Sequence, residues 1–392
     1  MTRIDLGGLT AGPSQVWGGI RLVPLLRERP VEGLRLRREL YEDHTGLVRL
    51  DERHAYVSYV PHGFVADWSG TPGAAGTEER RQSAAYGTQM GTGTPVAVPV
   101  RGLHRPARKA GDGPARGRLR FLPLHLALEG YLALHFGGPS VVWDEWSRAA
   151  VRRGLSPREE QAYAGADVRG LAEALRIFEI HPDQCGVMVY AADALAAAFV
   201  VPHPDDYRAL HPSLVQDLYG ELVHQYAYYG APVPEFTARI DDARGTVRTL
   251  ADLRRAARAQ EREWTAGHDT VMARELLETP YACERVQRKG RFGLYRFLPP
   301  FARDGLGQHI GEMITDHRGR TAYLKTFRLS DGQVRRGYLL RRLADTDWHL
   351  GHTAEAMGIG YGELVARIRR AGFGSLLNPH VVAQRSREAQ GT

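Results

Sequence analysis

The sequence predicts an α+β protein. A mixed antiparallel-sheet and helix domain takes residues 1–230, and a helical connector follows over 231–279. A small antiparallel β unit takes 280–332, a three-helix end 333–375, and a tail 376–392. Three observations predict this. Short β-branched and aromatic segments punctuated by Gly and Pro recur in two blocks, 16–65 and 280–330. Amphipathic or strongly charged helical stretches stand between and after the blocks. No solenoid period recurs along the chain.

"VWGGIRLVPLL" and "HAYVSYVPHGFV" read as strands, and 69–93 has linker composition. "TPVAVPV" (94–100) is a strand, with Pro99 marking an edge. The basic, Gly- and Pro-rich segment 101–117 reads as a loop, and 119–137 is densely apolar. A helix carries Trp143 and Trp146 toward Arg153. The next is capped by Ser156, with Pro157 in its first turn and Glu159 and Glu160 at its positive end. A helix around 167–179 precedes a hairpin, "GVMVY" and "ALAAAFVV", turning at "AAD". Leu214, Leu218 and Leu222 stripe an amphipathic helix over 211–229, and 249–264 is a charged helix. "RFGLYRFL" and "HIGEMITDHRGRTAYLKTFRL" read as strands, the second folding back at "HRGR".

Composition excludes several classes. The longest apolar run, 194–201, is far shorter than the roughly 20 residues a membrane-spanning helix needs. The first residues lack a basic head followed by an apolar block. Cys185 and Cys283 are the only cysteines, too few for a disulfide framework or a Cys-rich zinc site. A cytoplasmic protein without membrane contact is expected. Net charge is +7, yet 49 of the 52 basic residues are arginine, a bias that suits a GC-rich genome. Most of the excess falls in 70–120, so charge alone argues little for nucleic acid.

No GxSxG elbow, P-loop or dinucleotide fingerprint is present. His181, His203 and His211 each precede a proline, and a turn is the plainer role for each than a metal or catalytic one. His125 and Glu129, one helical turn apart near His135, fit a core-edge polar pair better than a general base. Glu221 and His224 suit a di-metal bundle, but the second copy such sites need is missing. No catalytic residue, metal ligand or cofactor is assigned, and the reading leans away from an enzyme.

The C-terminal end carries the most specific pattern. "QVRRGYLLRRLADT" sets Val334, Tyr338, Leu339 and Leu343 on one stripe. "LGHTAEAM" is a short second helix, "GIG" a tight turn at Gly358, and "YGELVARIRRAG" a third helix lined by Leu364, Ile368 and Ala371. This is helix-turn-helix spacing. Leu343, Trp348, Ala354, Met357, Gly358, Ile359, Leu364 and Ile368 resemble the Fis-type helix-turn-helix at the ends of many bacterial regulators. The resemblance implies double-stranded DNA as partner and a homodimer, with residues 361–370 in the major groove. The residues it assigns to DNA are Tyr361, Glu363, Arg367, Arg369 and Arg370. The chain departs from that pattern at His349, Thr353, Tyr361 and Gly362.

A second resemblance spans roughly 10–230. "TPVAVPV", "VVWDEW" and "QCGVMVYAADALAAAFVVPHPDDYRALHPSLVQDLYGEL" resemble the ARPP domains, which accompany ADP-ribosylglycohydrolases and rhodanese-phosphatases in bacterial genomes. It implies an α+β domain of unknown biochemical role linked to ADP-ribose or nucleotide signalling, with a nucleotide-like ligand as one open partner. Three functions therefore stay open. One is a DNA-binding regulator with an N-terminal sensor domain. Another is an enzyme or ligand-binding protein of ADP-ribose or nucleotide metabolism whose C-terminal helices are structural. The third is an adaptor whose loop 101–117 docks an acidic partner.

Overall fold

The structure is a computed structural model. It describes residues 3–41, 45–49, 55–59, 63–68, 82–86, 95–96, 120–121, 178–192, 194–211, 235–236, 240, 245–302, 305, 307–374 and 377. The segment 101–117, the stretch 119–137 beyond its first strand residues, and the helices placed at 143–153, 156–164 and 167–177 lie outside these residues. So do 212–229 and the tail apart from Leu377.

Sixteen strands are described. They are β1 (Leu9–Ala11), β2 (Gln15–Trp17), β3 (Ile20–Arg27), β4 (Arg35–Tyr41), β5 (Thr45–Arg49), β6 (Ala55–Tyr59), β7 (Gly63–Trp68) and β8 (Gln82–Tyr86). Then come β9 (Pro95–Val96), β10 (Arg120–Phe121), β11 (Gln184–Ala191), β12 (Ala194–Val200), β13 (Ala282–Lys289), β14 (Phe292–Leu298), β15 (His309–Thr315) and β16 (Thr321–Arg328). A nine-stranded sheet runs β1-β3-β11-β12-β16-β15-β14-β13, with β2 also on β3. Two smaller sheets join β8-β7-β4-β9 and β10-β6-β5. The stretch 69–93 is thus not all linker, because β8 within it pairs with β7.

The four strands of 280–332 are not a separate unit. β16 pairs antiparallel with β12, Ala197 facing Phe327 and Phe199 facing Lys325. Each half thereby satisfies the open edge of the other, and an unpaired edge is a liability. The hairpins are where the sequence puts them. Ala192 (φ +50°) turns β11 into β12. Between β15 and β16, Asp316 Oδ1 accepts from the backbone N–H of Arg318 (2.8 Å) and Arg320 (3.0 Å).

Alternation along the strands makes two apolar faces. Leu22, Val187, Phe199, Tyr323, Ile314 and Leu294 point to one side, where Leu34, Leu36 and Tyr207 cover them. Asp206 fastens this cover: its carboxylate accepts from Leu36 N–H (2.9 Å) and from the Arg35 guanidinium (2.8 Å). Val23, Met188, Val200, Leu324, Met313 and Phe297 line the other side under Ala273 and Leu276. Those two belong to α2 (Thr270–Glu278), which follows α1 (Leu250–Trp264) through a π-turn, Thr265–Asp269. Thr249 and Asp252 cap α1 reciprocally.

Three more helices close the chain: α3 (Asp331–Asp345), α4 (Leu350–Ala356) and α5 (Tyr361–Arg370). Leu329 and Ser330 alone separate β16 from α3, and Ser330 and Gln333 form a capping box (Gln333 N–H to Ser330 Oγ, 3.2 Å). Leu298, Phe301, Ile310 and Leu329 from the sheet end share one cluster with Leu340, Leu343, Ala354, Leu364 and Ile368. Phe301 is buried in the left-handed region (φ +53°). Its ring fills the place a side chain at position 337 would take: a Cβ on Gly337 would lie 2.2 Å from Phe301 Cε1. A glycine inside α3 costs helix stability but lets sheet and helix meet.

His309, buried at the sheet end, has its pKa lowered from 6.5 to about 3, chiefly by burial and then by Arg328. Thr326 Oγ1 lies 3.3 Å from its Nδ1. The unfolded chain takes up this proton below pH 6.5 and the folded chain does not until about 3. Stability is therefore whole above 6.5 and falls as pH drops toward 3, at about 1.4 kcal/mol per pH unit for this one group. In urea melts at pH 7 and pH 5, His309→Gln should shrink the loss seen in the wild type by about 2 kcal/mol. An unchanged loss would place the pH sensitivity elsewhere.

Candidate nucleic-acid interface

The α3–α4 turn is built by side chains as well as backbone. Asp347 and Trp348 take positive φ (49° and 63°), and Trp348 N–H returns to Leu343 O (2.7 Å). His349 caps α4, its Nδ1 accepting from His352 N–H at 3.1 Å. Thr353 is buried. Its hydroxyl donates to His349 O (2.9 Å) and lies 2.6 Å from the Thr346 hydroxyl. His349 and Thr353, two departures from the Fis pattern, thus hold the α3–α4 corner through polar contacts.

Gly358 (φ +64°) ends α4, with Gly358 N–H on Glu355 O and Ile359 N–H on Ala354 O, both 3.0 Å. Leu364, Val365 and Ile368 bury one face of α5. Tyr361 is half-buried and packs against that core, so its ring serves the fold first. Glu363 and Arg367 pair one turn apart, Arg367 Nε to Glu363 Oε1 at 3.0 Å. Arg369 and Arg370 are exposed, and Arg370 Nε donates to Ala366 O (3.3 Å). At 100° per residue, Arg367 and Arg369 fall on opposite flanks of the helix, with Arg370 between them.

A groove of about 710 Å³ runs between α3 and α5. Arg335 and Arg336 of α3 and Arg367 and Arg370 of α5 line it, against Asp331 and Glu363. The cations exceed the carboxylates by two. Burial lowers the pKa of Arg336 from its usual value. Sequence reading missed Arg335 and Arg336. At 100° per residue Arg336 falls between Leu340 and Leu343 on the buried side of α3, and Arg335 stands exposed beside it.

The other candidate residues do not assemble into a second centre among the described residues. His203 Nδ1 accepts from Asp205 N–H (3.1 Å), and His181 N–H donates to Gln184 Oε1 (3.1 Å); both histidines shape turns. His211 lies 3.3 Å from the Tyr207 hydroxyl. His125, Glu129, His135, Glu221 and His224 lie outside the described residues. Burial pushes the Cys185 thiol up to about 11, away from the thiolate form, although Arg27 beside it pulls the other way. On the sheet, Glu284, Arg296, Glu312 and Lys325 stand side by side on successive strands. Burial raises the pKa of Glu312 while Arg296 and Lys325 oppose the rise. Alternating signs let this row neutralise itself across strands. Among the described residues no three His, Cys, Asp or Glu side chains gather as a metal set, and no helix is long and apolar enough to cross a membrane.

The chain belongs to the ARPP-2 family, whose model matches residues 4–290. No curated protein and no solved structure matches it. The match is longer than the resemblance over 10–230 and ends in the β13–β14 turn. It takes in β1–β3 and β11–β13 of the large sheet, while β14–β16 and α3–α5 lie beyond it.

Two glycines in the turn region should respond with opposite signs. A Cβ at Gly358 meets nothing within 4 Å, so Gly358→Ala pays only for the left-handed backbone, about 1 kcal/mol. Gly362 sits on the solvent side of α5, also with nothing within 4 Å, and Gly362→Ala should stabilise by up to about 1 kcal/mol. Denaturant midpoints of the two variants check both signs. Stabilisation by Gly358→Ala would contradict the turn geometry.

Proposed function

We propose that the chain is a cytoplasmic DNA-binding regulator. Its ARPP-2 sheet body takes a small nucleotide-like ligand, and α5 lies in the major groove of duplex DNA. The observation that carries this reading is the short helix, left-handed Gly358 turn and arginine-bearing α5, with Arg335 and Arg336 beside it on α3. Such spacing presents the second helix to base edges while neighbouring cations meet phosphates. Arg369 and Arg370 are exposed for contact. Arg367 is held by Glu363, and reading a base with it requires that pair to open. Tyr361 supports the helix from beneath. Glu363, once released, is an acceptor suited to cytosine N4.

A second reading rests on the same groove. Four arginines around about 710 Å³ would also hold a phosphorylated small molecule, with α3–α5 serving only as walls. Competition separates the two: inorganic pyrophosphate displaces duplex only where both use the groove.

Duplex pull-down with sequencing, run on wild type and on Arg367→Ala/Arg370→Ala, tests the regulator reading. Wild type should enrich a site and the double variant should lose it. The slope of log affinity against log salt should flatten by about 0.9, for the one phosphate contact of Arg370. Glu363→Gln should tighten binding by freeing Arg367. Equal, unspecific recovery by both proteins would contradict the proposal.

A further inference from the structure

Leu250, Leu253, Ala257, Gln260 and Trp264 follow a three-four spacing along α1 and so share one stripe. No residue of this 15-residue helix is buried. Its C-terminal end is anchored: Ser14 N–H donates to Glu261 Oε1 (3.0 Å), and the Trp264 ring meets Phe236 edge-on at 5.8 Å. The N-terminal end is not. Leu250 is 62% exposed and Leu253 43%. A helix of this length is marginal alone in water, and amphipathic helices gain their stability by covering the stripe.

Charge selects the cover. The first nine residues of α1 carry Arg254, Arg255 and Arg258 against Asp252, and the last six carry Glu261 and Glu263 against Arg262. Arg254 and Glu261 lie one heptad apart on the same flank of the stripe. Two antiparallel copies bring this flank against itself reversed, so each Arg254 meets the partner's Glu261. Parallel copies would instead set Arg254 and Glu261 against Thr249 and Ala256, which gain no ion pair. Ser14 engages one carboxylate oxygen of Glu261, and the other can accept from a guanidinium.

We propose that α1 is the contact through which two copies of this chain associate, as an antiparallel helix pair. Leu250 and Leu253 pack on the partner stripe, the small Ala257 admits close approach, and the Arg254–Glu261 pair forms twice. Two heptads bury little area, so the dimer is a weak one, populated at micromolar concentrations and above. The pairing stands apart from the DNA reading. If both hold, each dimer carries two copies of α5.

Sedimentation velocity of the full chain from about 1 to 200 μM tests this. Wild type should shift from monomer to dimer. Leu250→Glu/Leu253→Glu should remain monomeric with an unchanged melting temperature, because both side chains are exposed. Arg254→Glu and Glu261→Arg should each weaken the dimer about fivefold or more, and the double reversal should restore it. Loss of the Ser14 bond in Glu261→Arg would not be repaired by Arg254→Glu, so restoration is specific to the pair. A wild type that stays monomeric at the highest concentration overturns the proposal. So does a dimer indifferent to the leucines, or a double reversal no tighter than either single.

Discussion

The contact between Phe301 and Gly337 sets how the rest of the molecule works. A buried phenylalanine with positive φ is uncommon, because its Cβ crowds its own backbone. It persists where the surroundings over-determine it. Here the ring seats in the gap left by Gly337, and Leu298, Ile310 and Leu329 close around it from the sheet. The three C-terminal helices are therefore an extension of the sheet core. Only two residues connect β16 to α3, and Ser330 spends its side chain on capping. A change at the β14–β15 end of the sheet reaches α5 through packed side chains.

That arrangement gives the arginines of α3 and α5 a packed support. The chain's positive excess lies mostly in 70–120. The groove between α3 and α5 nevertheless gathers four arginines on a rigid support, whereas the charged row on the sheet cancels itself. Rigid elements position charge better than loops do. Glu363 holds Arg367 in an ion pair one turn along α5. Under the proposed reading, a ligand on the sheet body would reach α5 through the side chains packed around Phe301.

Local structure was legible in the sequence and long-range pairing was not. The β11–β12 and β15–β16 hairpins, the charged helix at 250–264 and the three terminal helices all follow from periodicity and turn residues close in sequence. Nothing local announces that Phe199 faces Lys325, or that Val189 faces Leu22 across more than a hundred residues. The four strands at 280–332 therefore read as a separate unit while forming half of one sheet. At the candidate interface the helix positions were legible, and so was the turn at Gly358. The capping by His349 and the hydroxyl bonds of Thr353 were not, because a departure from a family pattern does not disclose what replaces it. The role of Tyr361 depends on burial, which one residue type cannot specify.

Hydrogen exchange under native conditions bears most directly on the fusion of helices and sheet. If α5 and the sheet form one cooperative unit, the amides of Ile368 and Val365 should open at the same free energy as those of Leu324 and Ile314, within about 1 kcal/mol. Phe301→Ala should lower both sets together. An α5 that opens several kcal/mol below the sheet, with the sheet untouched by Phe301→Ala, would contradict the account.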